Sequence, residues 1–72
     1  MASKSNKIST ISENIKKARN KKGVSQDRLS KMADVAYNTI IKIESGIIQN
    51  PTIETLAKIA KALDVNVDDL IK

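Results

Sequence analysis

The side chains equipped for chemistry in this sequence are hydrogen-bonding and charged groups rather than the usual catalytic types. The chain has no cysteine and no histidine, which removes disulfides and the usual zinc ligand sets. The adjacent pair Asp68-Asp69 is explained better as negative charge at a helix start than as paired catalytic carboxylates. We therefore expect neither an enzyme nor a bound metal or cofactor.

A more informative set of side chains lies on one face of a helix that is predicted near the middle of the chain. On a wheel with about 100° per residue, Ile40 and Ile43 point to one side. The opposite, outward arc has Tyr37 at its edge and is formed by Asn38, Ile41, Lys42 and Ser45. Apart from its isoleucine this arc is polar, and its short side chains allow close approach to another surface. The arc is the candidate binding surface.

Basic residues are concentrated in the first half of the chain. Residues 1–36 hold nine Lys or Arg and three acids, whereas residues 37–72 hold four and five. This asymmetry favours a face directed at a polyanion, although lysines that merely keep a small protein in solution are an equal alternative. The single aromatic residue, Tyr37, argues against binders that stack bases on several rings, such as RNA-recognition domains.

Helix-start and helix-stop residues divide the chain into five short helices. After a flexible basic arm of residues 1–8, the helices are expected from Ser9 or Thr10 to Lys22, then at about 26–33, 37–45, 53–63 and 67–71. Asp34 stands where the turn needs a residue that tolerates positive φ. No strand pattern appears, so residues 9–72 are predicted to form one compact all-α domain.

The apolar positions at helical spacing are the predicted core. They are Ile11, Ile15, Ala18, Leu29, Met32, Ala33, Ala36, Ile40, Ile43, Ile53, Leu56, Ile59, Ala60 and Leu63, with Val35 as a plug in the turn. No apolar run approaches the roughly 18 residues of a membrane span, and the first residues lack the apolar stretch of a signal peptide. A cytoplasmic protein without a membrane partner is expected.

The segment from Ser25 to Gly46, a helix, a tight turn and a helix with a polar outer face, has the helix-turn-helix plan. Over about residues 9–72 the chain resembles the Cro/C1-type (XRE) helix-turn-helix family. The matching segments are GVSQDRLS at 23–30, Val35, Ile40, IESG at 43–46, PTIETLAKIAKAL at 51–63 and VNVDDL at 65–70. The family includes phage repressors, restriction–modification controller proteins and antitoxins. The resemblance implies a five-helix, lambda-repressor-like DNA-binding domain.

The resemblance also implies roles for individual residues. Base edges are assigned to Tyr37, Asn38 and Lys42. Ile41 lies on the same arc, and its expected exposure there, rather than the resemblance, suggests an apolar contact to a thymine methyl. Asn can bond adenine bidentately and Lys can reach guanine O6 and N7. Phosphate contacts are assigned to Lys17, Ser25, Gln26, Thr39, Ser45 and Asn50, and Gln26 is also expected to brace the recognition helix. The alternatives are that Gln26 is merely a good first-turn residue and Lys42 a solvated lysine.

A further pair of matching positions carries opposite charges. Arg19 and Glu44 are expected to form a partly buried ion pair between the first helix and the end of the recognition helix. Independent surface charges are the alternative.

The sequence departs from the family pattern at three places. Asp34 replaces the usual turn glycine, and Ala36 replaces the Ser or Thr that usually caps the recognition helix, at a cost of about 0.5–2 kcal/mol. The loop at residues 47–50 lacks the basic residues that commonly contact phosphates there.

The function implied is a transcriptional regulator that binds a palindromic double-stranded DNA operator as a homodimer, with half-sites about 10 base pairs apart. The expected dimer interface consists of Ile47, Ile48, Val67, Leu70 and Ile71, with core packing as an equal alternative for the last two. The second hypothesis is an antitoxin-type module that neutralises a toxin and autoregulates its operon, because the fold alone does not fix function.

Overall fold

The computed structural model describes residues 10–72, which form five α-helices joined by short turns. The helices are α1 (Thr10–Lys22), α2 (Gln26–Ala33), α3 (Tyr37–Glu44), α4 (Ile53–Leu63) and α5 (Val67–Ile71). No strand occurs in this part of the chain, so the all-α prediction is confirmed. The third helix ends one residue earlier than expected, with Ser45 as its C-cap. The predicted arm of residues 1–8 lies outside the described residues.

The helix ends follow the local chemistry of their residues. Ser25 Oγ accepts a hydrogen bond from the Arg28 N–H at 3.0 Å, and Thr52 Oγ1 accepts one from the Thr55 N–H at 3.1 Å. Each side chain thereby satisfies one of the backbone donors that a helix start leaves unpaired. Asp34 ends α2 in the left-handed region, at φ 58°, as its place in the turn predicts.

The core lies where the inner faces of the helices meet. α1 packs against α3, α4 and α5, and α2 packs against α3 and α4. The largest fully buried side chains are Ile15, Leu29, Ile40, Ile43, Ile59 and Leu70. Burying one such side chain stabilises the fold by about 1.5–3 kcal/mol. Every helix contributes at least one of them, so α3 is held against a core that includes all five helices.

Three core predictions are wrong. Ile53 is 70% exposed because it is the first residue of α4 and its side chain leans towards the helix N-terminus, past the packed turns. Met32 is 41% exposed; it lies at the edge of the buried stripe formed by Leu29 and Ala33, beside a groove towards α4. Ala36 is exposed, since its backbone is not helical and the helical wheel does not apply to it.

The predicted dimer residues separate into two groups. Leu70 is 1% exposed and belongs to the core; α5 is short, and this is its one buried residue. The assignment of Leu70 to a dimer interface is therefore wrong. Ile48 and Val67 are half-buried against the core, whereas Ile47 and Ile71 are 72% and 45% exposed. No helix within residues 10–72 has the length and hydropathy needed to cross a membrane.

Candidate nucleic-acid interface

The turn between α2 and α3 consists of Asp34, Val35 and Ala36. The left-handed Asp34 reverses the chain, and the Val35 N–H donates to the Ser30 carbonyl at 3.0 Å. Val35 packs against the core as a half-buried plug, as predicted. A helix, a three-residue turn and a second helix with an exposed face together form a helix-turn-helix.

The C-terminal end of α3 is held by its buried carboxylate. Arg19 donates from Nε to Glu44 Oε2 at 2.7 Å and from Nη2 to Oε1 at 3.0 Å. The side chains are 14% and 2% exposed, respectively. A bidentate, charge-assisted contact of this kind fixes orientation as well as distance. The ion pair that the resemblance implies is thus present, and it joins α1 to the end of α3.

Gln26, the first residue of α2, is part of the same network. Its Nε2 donates to Glu44 Oε1 at 3.0 Å, so it braces α3 as the resemblance implies. Arg19 Nη1 also donates to the Val24 carbonyl at 2.9 Å, which ties the segment between α1 and α2 to the ion pair. One carboxylate therefore connects three helices.

Ser12 is a fourth participant in this network, and it was not predicted from the sequence. Its buried hydroxyl donates to the backbone carbonyl of Glu44 at 2.6 Å. The last carbonyls of a helix have no partner within the helix, and Ser12 supplies one. The signal was available, because Ser12, Ile15 and Arg19 share one face of α1 at helical spacing, and a serine on an apolar face requires a polar partner.

The outward face of α3 carries the residues assigned to base contact. Asn38 and Lys42 are exposed, lie one helical turn apart, and make no side-chain hydrogen bond or ion pair with the rest of residues 10–72. Tyr37 is 46% exposed. Ile41 is half-buried, so it is less open to solvent than the helical wheel predicted.

A shallow cleft, here called the α1–α3 cleft, explains the position of Ile41. Its lining residues are Lys16, Arg19, Gln26, Ile41, Glu44 and Ser45. It lies beside the outward face of α3 and brings together two of the predicted phosphate contacts, Gln26 and Ser45.

The structure does not bring the other predicted phosphate contacts into this cleft. Lys17 is exposed and borders a different depression, together with Glu13, Lys16 and Asn20. Asn50 is exposed in the loop before α4, and Thr39 is half-buried on α3. Ser25 lies next to Gln26, and its hydroxyl oxygen serves as the N-cap of α2.

Comparison with known proteins identifies the class of protein to which this chain belongs. A profile of the helix-turn-helix family matches residues 15–70, which is most of the chain. The protein belongs to this family, in the Cro/C1-type (XRE) group that the sequence resembles.

Individual relatives agree with the family assignment. The chain is 38% identical over 61 residues to the HTH-type transcriptional regulator SinR of Bacillus subtilis and, equally, to SinR of Bacillus licheniformis. The match covers 85% of this chain and 55% of each relative, so the chain spans about half the length of these proteins.

Two solved structures have the same fold. The N-terminal DNA-binding domain of SinR from Bacillus subtilis superposes with a TM-score of 0.85 at 36% identity, covering 88% of this chain and 91% of that one. The restriction–modification controller protein C.AhdI from Aeromonas hydrophila gives 0.82 at 24% identity, with 88% and 94% covered. At that identity the second likeness concerns the fold alone.

Proposed function

We propose that this protein is a transcriptional regulator that binds double-stranded DNA in a sequence-specific manner, without catalytic activity, in the cytoplasm. The observation that carries the proposal is the pair of exposed side chains Asn38 and Lys42, which have no side-chain partner within residues 10–72. They lie one turn apart on a helix that Glu44 fixes to the other helices. The relatives named as a transcriptional regulator and a DNA-binding domain support it.

The mechanism follows from the size of α3. The major groove, about 12 Å wide, admits one α-helix, and the polar side chains Asn38, Lys42 and Ser45 of the outward face of α3 are exposed. In this arrangement Asn38 and Lys42 contact base edges, Tyr37 lies at the margin of the groove, and Gln26 contacts the DNA backbone. Because α1, α2 and α3 are joined at Glu44, contacts to phosphates fix the register in which α3 meets the bases.

We propose further that the protein binds a palindromic operator as a homodimer, since one helix offers few side chains to base edges and two-fold symmetry doubles them. With Leu70 in the core, the exposed Ile47 and Ile71 and the half-buried Ile48 and Val67 remain for the interface. Ile53, 70% exposed at the start of α4, is an additional candidate.

The experiment that tests DNA binding is selection of binding sites from a library of random duplexes, followed by titration of the selected duplex and a scrambled one. The proposal expects enrichment of a two-fold symmetric sequence and tighter binding of it than of the scrambled duplex. A library without enrichment, bound equally to the scrambled sequence, would overturn sequence-specific recognition.

The dimer is tested separately by sedimentation at tens of micromolar, with and without the selected duplex. We expect two protein chains per duplex, even where association in free solution is weak, because interfaces of this kind are small. One chain per duplex at saturation would overturn the dimer and leave DNA binding standing.

A further inference from the structure

Asn14, near the start of α1, is a half-buried polar residue outside the network around Glu44. Its side-chain amide donates from Nδ2 to the backbone carbonyl of Leu70 at 3.0 Å. Leu70 is the penultimate residue of α5, so this bond gives a partner to one of the carbonyls that a helix end leaves unpaired. Asn14 therefore joins α1 to the C-terminal end of α5.

Ser12, two residues earlier on α1, makes the corresponding contact with α3. Its hydroxyl donates to the carbonyl of Glu44, the last residue of α3, at 2.6 Å. Two residues correspond to about 200° on a helix, so Ser12 and Asn14 point to nearly opposite sides of α1. Since α1 packs against both α3 and α5, it is the structural link between the proposed recognition helix and α5.

The orientation of α5 depends on directional contacts because the helix is short. It has five residues, and Leu70 is its one buried side chain. A helix of this length has little stability of its own. Apolar burial is non-directional, so Leu70 holds α5 against the core without fixing its angle. The turn from α4, in which the Val65 N–H donates to the Ala60 carbonyl at 3.0 Å, places the start of α5. The Asn14 bond, whose strength depends on its angle, fixes the other end.

The angle of α5 matters for DNA binding because this helix contains Val67 and Ile71, two of the residues proposed for the dimer interface. The half-sites of a palindrome lie about 34 Å apart, and successive base pairs lie about 3.4 Å apart. A tilt of about 6° of α5 against α3 in each subunit therefore displaces the two recognition helices by about one base-pair step. The angle between α5 and α3 thus determines which half-site separation the dimer fits.

We propose that Asn14 and Ser12 are positioning residues that hold α5 and α3 at a fixed angle on α1, and that they thereby determine the separation of the half-sites that the homodimer binds. This role rests on the proposed function, binding of a palindromic operator by a dimer with α5 in its interface. Neither residue contacts DNA. The outward face of α3 reads the bases of each half-site, and binding at another separation requires one of the two bonds to break.

The test measures the preference of the protein for one half-site separation. Wild type and variants are titrated with duplexes that carry the two selected half-sites at the selected separation, one base pair closer, or one base pair farther apart. In Asn14→Ala no side-chain bond has to break for α5 to shift. We therefore expect its preference for the selected separation to fall by about two- to tenfold, the contribution of one hydrogen bond. Ser12→Ala should lower the preference by a similar factor.

The matched control is Asn20→Ala, because Asn20 is an exposed asparagine of the same helix, beside a depression formed by α1 residues. It should keep the wild-type preference. Asn14→Leu, which has a side chain of similar size, favours a helix and lacks the donor, is the second variant and should reproduce the fall. A merely structural defect would lower the affinity for all three duplexes by the same factor and leave the preference unchanged.

A wild-type preference retained in Asn14→Ala and Asn14→Leu, or an equal fall in Asn20→Ala, would overturn the proposal. So would a wild type that binds the three separations equally. The base preference within each half-site should stay unchanged in Asn14→Ala, and a changed one would show that Asn14 acts on α3 and not on spacing. Failure of the wild type to select any two-fold symmetric duplex would instead overturn the proposed function, so the two failures are distinguishable.

Discussion

The two ends of α3 are held in very different ways. At the C-terminal end, Glu44 is bonded by side chains of Arg19, Gln26 and Ser12 from two other helices. At the N-terminal end, α3 begins after Ala36, which provides no side-chain cap. Within residues 10–72, α3 is therefore held by side chains at its C-terminal end and has no side-chain cap at its N-terminal end, where a helix start leaves backbone donors unpaired.

In this helix of eight residues, the contacts that hold α3 in the domain are therefore at its C-terminal end, and the first residues proposed to contact DNA are at its N-terminal end. Tyr37 and Asn38 lie in the uncapped first turn, where exposed N–H groups and the positive end of the helix dipole favour an anionic partner. Lys42 lies in the last turn, next to the bonded end. Substitutions at each end in turn show whether the C-terminal contacts determine the stability of the domain and the outward face determines DNA recognition.

Breaking the C-terminal end should have the largest effect. Removing one partner of a buried ion pair leaves the other charge uncompensated and costs about 3–5 kcal/mol, so we expect Arg19→Met to lower the free energy of unfolding by that amount, measured by urea denaturation. The control is Lys31→Met, which removes an exposed pair with Asp27 at 3.0 Å, with side chains 72% and 61% exposed. Such a surface pair contributes about 0–1 kcal/mol. Equal losses for the two variants would show that the Glu44 network does not hold α3.

The contrast between the two ends also shows what a sequence can and cannot predict. The capping and turn roles of Ser25, Asp34 and Thr52 involve only residues that are close in sequence. These roles can therefore be predicted from residue type, and they in turn predict the helix bounds. The ion pair between Arg19 and Glu44 joins residues that are 25 positions apart. Only the family resemblance predicted it, because the spacing of residues on one helix does not show which other helix that face contacts.

The wrong core and interface predictions also concern contacts between helices, which residue spacing within one helix does not determine. Ile53 satisfies the apolar spacing of α4, but whether a neighbouring helix extends far enough to cover the first turn is a tertiary fact. Leu70 and Ile71 are adjacent apolar residues, and only the packed structure shows that the first is in the core and the second 45% exposed. For Lys16 and Lys17, sequence indicates two exposed lysines, and the position of α3 is needed to tell them apart.

Changes on the outward face should affect recognition without affecting the fold. A lost bidentate base contact costs about 1–3 kcal/mol and relaxes the preference at one base pair, which we expect for Asn38→Ala and Lys42→Ala in binding-site selection. Both side chains are exposed and unpartnered within residues 10–72, so unfolding free energies should stay within about 0.5 kcal/mol of wild type. If both variants select the wild-type sequence and only bind more weakly, these residues do not read bases, and specificity comes from the N-terminal arm or from DNA shape.

The smallest expected effect comes from completing the N-terminal end. Ala36 is the N-cap residue of α3 and has a non-helical backbone, φ −57° and ψ 140°. A serine there can accept from a first-turn N–H, as Ser25 does at 3.0 Å in α2. We expect Ala36→Ser to raise the free energy of unfolding by about 1 kcal/mol and Ser25→Ala to lower it by a similar amount. Since eight residues span about 12 Å, the two ends of α3 are far enough apart to act independently. The gain from Ala36→Ser should therefore persist within about 0.5 kcal/mol in an Arg19→Met background. A gain that disappears in that background would mean that α3 does not keep its position without Glu44 pairing, and that the first turn, with Asn38, is placed by the network at the opposite end of the helix.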